Sequence, residues 1–230
     1  MAADTHGKKK DVLTEGVTLY KNADYAASLA FFLSLPDDSG ADGIEIAYYI
    51  GLCYAKLQRY EDALLYLEQV VTAGQNVDRV LQCRFLLAVI YTLTGRKKLA
   101  DFELQKLLES KYRPASVYAA LAYNAWTQKD AGASISFYKK ALEIDPENAT
   151  ALNGLGYVLA CENKDLTAAL AYCKKALKKA PDSAACLDSV GWVYLKLGLL
   201  EDANRFLNLA RDIMPDNEEI KEHIRLAQTN

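Results

Sequence analysis

Small and apolar residues recur at a fixed interval along the second half of the chain. The interval is 34 or 35 residues, and it separates three similar triplets: Leu121-Ala122-Tyr123, Leu155-Gly156-Tyr157 and Val190-Gly191-Trp192. A period of this length with small residues at set places is typical of a helix–turn–helix repeat. The pattern therefore predicts successive pairs of antiparallel helices, in which the small residues allow the paired helices to approach closely.

Proline and glycine mark the predicted ends of these helices. Pro146, Pro181 and Pro215 recur with the same period, after the second helix of each pair. Proline cannot continue a helix because it lacks an N–H donor and clashes with the preceding turn. Gly95 and Gly198 stand where a first helix must stop and the chain must turn, a place that favours glycine.

These residues together resemble the tetratricopeptide repeat (TPR) family. The stretch 184–217 fits the family pattern best, through Gly191, Tyr194, Gly198, Ala203, Leu207, Ala210 and Pro215. The resemblance implies an all-α fold, a right-handed superhelical solenoid of about six TPR units plus a C-terminal capping helix. Each unit needs its neighbours, because one helix pair cannot bury its apolar face alone.

The quality of the pattern falls toward the N-terminus, and this gradient sets the predicted organisation. We expect a flexible N-terminus over 1–8, two degenerate units over 9–80, four units over 81–217 and a capping helix over 218–230. Ile220, Ile224 and Ala227 give this last helix one apolar stripe. The last two repeats also resemble a subset of bacterial TPR proteins, some of which are exported lipoproteins.

Composition narrows the class of protein. The chain has 230 residues, a hydrophobic fraction of 51% and a formal net charge of −3. The negative balance argues against a nucleic-acid binder, and no apolar stretch reaches the roughly 18–20 residues that span a bilayer. The N-terminus shows no signal peptide. These features predict a cytoplasmic protein, with a bacterial periplasm as the alternative if a signal peptide has been removed.

The sequence contains little that suggests catalysis. There are two histidines, His6 and His223, and five cysteines without a C-x-x-C pair. Neither a metal site nor a cofactor site is predicted from so few ligands. Gly154-Leu155-Gly156 resembles part of a dinucleotide-binding motif, but it lies inside a predicted helix, where packing explains it better. We therefore predict no enzyme activity.

The TPR resemblance implies that the first helices of successive repeats line a concave groove. Nine residues fall on it: Tyr48, Phe85, Tyr123, Trp126, Asn153, Tyr157, Asp188, Trp192 and Lys196. Aromatic rings with a few polar groups suit the capture of a peptide. Asn153 can pair with a peptide backbone, and Asp188 and Lys196 can read charge. The rings can alternatively pack against the next first helix.

The resulting functional prediction is an adaptor or assembly scaffold that binds a protein or peptide. Asp188 would repel a carboxylate, which disfavours the carboxylate clamp of TPR cochaperones. One alternative is a homo-oligomer built through the N-terminal repeats, with Phe31, Phe32 and Leu33 as candidates for exposure. Another is a groove that holds a small apolar ligand within a transport system. A strip of lysines on the second helices, including Lys174 and Lys175, is a further candidate, for docking an acidic partner.

Overall fold

The computed structural model describes residues 5–36 and 38–229, with side chains from Val12 onward. This part of the chain consists of thirteen α-helices and contains no strand, so the predicted all-α class is confirmed. The helices are α1 (Thr5–Lys21), α2 (Tyr25–Ser34), α3 (Gly43–Lys56), α4 (Tyr60–Ala73), α5 (Val77–Leu93), α6 (Lys97–Glu109), α7 (Pro114–Thr127), α8 (Ala131–Ile144), α9 (Ala149–Cys161), α10 (Leu166–Lys179), α11 (Ala184–Lys196), α12 (Leu200–Ile213) and α13 (Glu218–Thr229). Of the predicted flexible N-terminus, residues 1–4 lie outside the described residues, and α1 begins at Thr5.

The chain forms two compact units. Unit 1 ends at Ser110 and contains α1 to α6, and unit 2 begins at Lys111 and contains α7 to α13. The sequence predicts two degenerate units over 9–80 and four units over 81–217. The structural division at Ser110 follows the packing of the helices and lies within the second of these ranges.

Within each unit the helices pair as antiparallel hairpins. Successive helices pack together as α1–α2, α3–α4 and α5–α6 in unit 1 and as α7–α8, α9–α10 and α11–α12 in unit 2, where α13 packs on α11 and α12. Gly95 and Gly198 adopt φ angles of +77° and +75° at hairpin turns, as their positions predict. Pro146, Pro181 and Pro215 each follow the last residue of a second helix by two.

The recurring small residues lie where paired helices touch. A Cβ atom at Gly191 of α11 would lie 2.7 Å from Cγ of Leu207 on α12. Gly156 of α9 faces the Sγ atom of Cys173 in the same way, and its neighbour Gly154 faces the ring of Tyr138. Both glycines of Gly154-Leu155-Gly156 therefore serve helix packing, as predicted.

The last helix closes the apolar end of unit 2. The side chain of Asn217 accepts a hydrogen bond from the N–H of Ile220 at 3.1 Å and caps α13. Ile220, Ile224 and Ala227 are buried, as the apolar stripe predicts. His223 is buried beside them, although the stripe did not include it.

One prediction about unit 1 needs correction. Phe32, a candidate for an exposed oligomer contact, is 2% exposed and stacks on Tyr49 with the ring centroids 5.1 Å apart. Phe31 packs over Gly16, whose missing side chain leaves room for the ring. Leu33 is the one of the three predicted candidates that is exposed. The apolar run therefore belongs mostly to the core, because its second residue points between helices.

Candidate functional site

The first helices of the hairpins in unit 2 lie side by side. Contacts join α7 to α9, α9 to α11 and α11 to α13. Between them lies a groove of about 570 Å³. Five predicted site residues line it: Tyr123, Trp126, Asn153, Tyr157 and Asp188. Glu219 of α13 lines it as well. We call this depression the aromatic groove.

The rings of the aromatic groove hold one another in place. Trp126 and Tyr157 meet edge to face, with centroids 6.2 Å apart and planes at 90°, a favoured arrangement for aromatic pairs. Tyr123 is 46% exposed. One ring is thus open to a ligand, while the other two form a fixed corner.

A hydrogen bond ties this corner to the last helix. The hydroxyl of Tyr157 donates to Oε1 of Glu219 at 2.5 Å. Burial, together with this bond to a carboxylate, raises the pKa of the Tyr157 hydroxyl. The phenol therefore stays protonated and acts as a donor, and Glu219 is fixed at the edge of the groove.

Asp188 is engaged inside the protein. Its two carboxylate oxygens lie 2.9 and 3.1 Å from Nδ1 of His223, and both residues are 5% exposed. Burial raises the pKa of the Asp188 carboxyl, and the bond to His223 opposes that rise. The prediction that Asp188 contacts a charged group of the ligand must be revised, because both of its carboxylate oxygens contact His223 of α13.

Trp192 and Lys196 lie beside this pair. The Trp192 ring stacks on His223 with centroids 4.2 Å apart, and Nζ of Lys196 lies 4.7 Å from the centre of the Trp192 ring. These two residues line a separate depression of about 450 Å³. Trp192 thus packs against the next first helix, which is the alternative that the sequence left open for such rings.

Asn153 differs from the other polar groups of the aromatic groove. Its Oδ1 atom is buried and has no hydrogen-bond donor in the described part of the chain. A buried carbonyl oxygen without a donor loses its hydration and gains nothing in exchange. Asn153 lines the groove, and its oxygen is one of several buried polar atoms without a partner among the described residues, Oγ of Ser134 being another.

Two of the nine predicted residues belong to unit 1. Tyr48 is 8% exposed, and its hydroxyl donates to Oε1 of Gln82 at 2.7 Å, while Phe85 is half-buried. Neither residue lines the depression of about 310 Å³ in that unit, whose walls include Leu52 and Val89. The nine predicted residues are therefore divided between the two units, with seven of them in unit 2.

Sequence reasoning missed Glu219 and His223. A signal was present, since Asp188 and His223 are 35 residues apart, one repeat length. Extending the repeat by one more first helix would have placed His223 opposite Asp188. The sequence pattern instead places Glu219 in the first turn of the capping helix, where its charge suits the helix dipole, and it gives neither Glu219 nor His223 a role in the groove.

The lysine strip on the second helices is partly neutralised. Lys175 and Lys179 each lie 2.6 Å from a carboxylate oxygen of Glu147. Their hydrogen bonds lower the pKa of Glu147 to about 2. These paired charges weaken the case for an acidic partner on that surface.

Two broader features of the described residues bear on function. Among the described side chains, those of residues 12–36 and 38–229, no three His, Cys, Asp or Glu residues come together in a way that could hold a metal ion. None of the helices in the same ranges is long and apolar enough to cross a membrane.

Solved structures share this architecture. A chain of the APC/C hetero-tetramer Cut9–Hcn1 aligns with a TM-score of 0.77 and 16% identity, over 97% of this chain and 44% of that one. A tetratricopeptide repeat protein from Parabacteroides merdae ATCC 43184 aligns with a TM-score of 0.76 and 16% identity, over 94% and 83% of the two chains. PilW, a type IV pilus biogenesis factor, aligns with a TM-score of 0.62 and 18% identity, over 82% and 89%. At such identities the likeness shows the fold alone.

Family models agree with the structural likeness. A search of the curated proteins found no match. Three tetratricopeptide repeat models match residues 119–184, 160–222 and 45–73, which together include more than half of the chain. The chain belongs to the tetratricopeptide repeat family.

Proposed function

We propose that this protein is a non-catalytic interaction module that binds an extended peptide segment of a partner protein in the aromatic groove. The observation that carries the proposal is the combination of the exposed Tyr123 ring with the fixed corner of Trp126 and Tyr157 in one groove. Rigid aromatic rings give a large contact area at a low cost in conformational entropy. Membership in a repeat family whose folds commonly serve as interaction scaffolds supports the same conclusion.

The groove has the capacity for this role. Its volume of about 570 Å³ lies within the range of roughly 300–1,000 Å³ of ordinary ligand sites. That volume accommodates a few residues of an extended chain. The buried oxygen of Asn153 adds selectivity that apolar contacts lack, because in this proposal it accepts a hydrogen bond from an N–H group of the peptide.

A selection experiment tests the location of the site. Random peptides displayed on phage would be selected on the full chain, and the affinities of the recovered peptides would be measured by titration calorimetry. We expect Tyr123→Ser to weaken their binding by about tenfold or more, since a buried aromatic anchor contributes about 1–2 kcal/mol or more. Leu209→Ser is the matched control, because Leu209 is 43% exposed on α12 and does not line the groove.

Equal losses in the two variants would place peptide binding elsewhere. The same groove is also large enough for a small apolar ligand. Native mass spectrometry of the purified protein distinguishes this second candidate. A bound small molecule that Tyr123→Ser removes would favour it over the peptide.

A further inference from the structure

The charges around the aromatic groove are of one sign. Asp188 and Glu219 are the charged residues that line it, and neither Lys nor Arg is among the described residues at its walls. Because Asp188 is paired with His223, Glu219 supplies the carboxylate that acts on a ligand. A cavity with such a carboxylate and no base repels an acidic ligand and attracts a cationic one.

Glu219 stands out among the acidic residues of α13. Its neighbours Glu218 and Glu222 form salt bridges with Lys221 and Arg225 along the same helix, at 2.8 and 2.5 Å. No basic side chain of the described residues forms a salt bridge with Glu219, whose bond is to the neutral hydroxyl of Tyr157. The carboxylate at the groove is thus the uncompensated one.

The remaining groups of the groove also favour a cationic donor. The oxygen of Asn153 is buried in a residue of the wall and meets no donor among the described side chains and backbone groups, and a ligand that brought an N–H group to it would satisfy it. The faces of Tyr123 and Trp126 attract an ammonium or guanidinium group through the ring quadrupole. An acceptor, aromatic rings and a carboxylate whose charge no basic side chain neutralises together match a lysine or arginine side chain.

We propose that the aromatic groove selects peptide segments that carry a lysine or arginine, and that Glu219, Asn153 and the groove rings bind this cationic side chain. The inference rests on the proposed peptide-binding function and names the class of segment that it takes. Glu219 supplies the charge, Asn153 a hydrogen-bond acceptor, and Tyr123 the apolar surface for the methylene stem.

Peptide pools with a fixed central residue test this selectivity, and the full chain is the protein that they are titrated with. Four nonapeptide pools, random except for a fixed central Arg, Lys, Gln or Glu, would be titrated by fluorescence anisotropy. We expect the Arg and Lys pools to bind about tenfold tighter than the Gln pool, because opposite charges meet in a partly desolvated site. The Glu pool should bind most weakly.

A pair of variants on one helix separates the site from the net charge of the protein. Glu219→Gln keeps the acceptor for Tyr157 and should reduce the preference for Arg and Lys to less than about threefold. Glu218→Gln removes the same charge from an adjacent residue that is paired with Lys221, and it should leave the preference intact. An equal effect of both variants would overturn the proposal.

The outcomes also distinguish this inference from the proposed function. Pools that bind equally well whatever their central residue, and that lose affinity in Tyr123→Ser, would refute cationic selectivity and leave peptide binding in place. No binding of any pool would refute the peptide-binding function itself. An Arg and Lys preference that Tyr123→Ser and Glu219→Gln both leave unchanged would mean that cations bind outside the groove.

Discussion

Individual residues of unit 2 serve packing or binding, and the two roles make opposite demands. Gly191 permits contact between α11 and α12, and a side chain there has no space. Asn153 lies in the preceding repeat and keeps a buried oxygen for which the described residues provide no donor. The first arrangement stabilises the fold. The second costs stability, and under the proposed function a ligand that donates to this oxygen offsets that cost.

Replacing Gly191 tests the packing role. Gly191→Leu should lower the free energy of unfolding by about 1–3 kcal/mol or more, because overpacking displaces neighbours. The obstacles are Cγ of Leu207 at 2.7 Å and its backbone N at 3.0 Å. Urea denaturation followed by circular dichroism measures the change. The matched control is Gly132→Ala in α8, where the new Cβ meets only Asp130 Oδ1, at 3.6 Å. That change should stabilise the protein by about 0.5–1 kcal/mol. A destabilised Gly132→Ala would show that crowding is not the cause.

Replacing Asn153 tests the binding role. Asn153→Leu should leave the free energy of unfolding unchanged or raise it by about 1–2 kcal/mol, because it removes an unsatisfied acceptor. The same change should weaken peptide binding by about tenfold. Chemical denaturation and titration calorimetry measure the two effects. Asn148→Leu is the control, since the Asn148 side chain caps α9 by accepting from the N–H of Ala151. Loss of this cap should lower the free energy of unfolding by about 1 kcal/mol and leave the peptide affinity unchanged.

At the scale of elements, the sequence predicts helices better than it predicts what their polar residues touch. Periodic small residues and prolines fix where the hairpins of unit 2 begin and end, because those constraints are local. The contact between Asp188 and His223 depends on how α13 lies across α11, which no local rule contains. His223 interrupts the apolar stripe of α13, and its burial is explained only by the carboxylate opposite it.

The burial of Asp188 against α13 makes the stability of the fold depend on pH. Burial raises the pKa of Asp188 above the ordinary 3.8, so its protonated form is favoured in the folded state. Its contribution to stability is therefore fully present below pH 3.8 and is lost as the pH rises through the raised pKa. As the pH rises over this range, the free energy of unfolding of the wild type should fall relative to that of Asp188→Asn. The slope for one group is at most about 1.4 kcal/mol per pH unit. Urea titrations between about pH 3 and pH 6 measure it.

Glu147 supplies a control of opposite sign. Lys175 and Lys179 lower its pKa from 4.5 to about 2, so its contribution is present above pH 4.5 and is lost as the pH falls toward 2. The Glu147→Gln variant should therefore lose less stability than the wild type as the pH falls from 4.5 toward 2. Equal pH slopes for Asp188→Asn and the wild type would contradict the assignment to Asp188.

At the scale of the whole molecule, the period of the sequence conceals the division of the chain. The repeat frame runs from residue 81 to residue 217 without a gap, yet the boundary between the two compact units lies between Ser110 and Lys111. Lys111 and Arg113 both adopt positive φ angles, of 57° and 40°. Residues with a Cβ rarely take this conformation. No glycine marks the segment, and Pro114, the first residue of α7, is a sign in the sequence that a helix begins there. It does not distinguish this turn from the others as the boundary between the units.

Each unit buries side chains of its own, and this organisation predicts separable unfolding. One core cluster runs from Leu13 to Ala100 within unit 1, and others, such as that from Ala119 to Val158, lie within unit 2. The two tryptophans of the chain, Trp126 and Trp192, are both in unit 2. Tryptophan fluorescence therefore reports the unfolding of unit 2, whereas far-ultraviolet circular dichroism reports the helices of both units.

A matched pair of glycine variants tests this independence. In unit 1, a Cβ at Gly51 would lie 2.8 Å from Cδ2 of Leu67, much as one at Gly191 would crowd Leu207 in unit 2. Gly51→Leu should lower the midpoint of the dichroism transition and leave the fluorescence midpoint unchanged, because the crowded contact lies within unit 1 and both tryptophans lie within unit 2. Gly191→Leu should lower the fluorescence midpoint. If Gly51→Leu shifted both probes equally, the chain would unfold as one cooperative body, and the separate cores would not be separate units of stability.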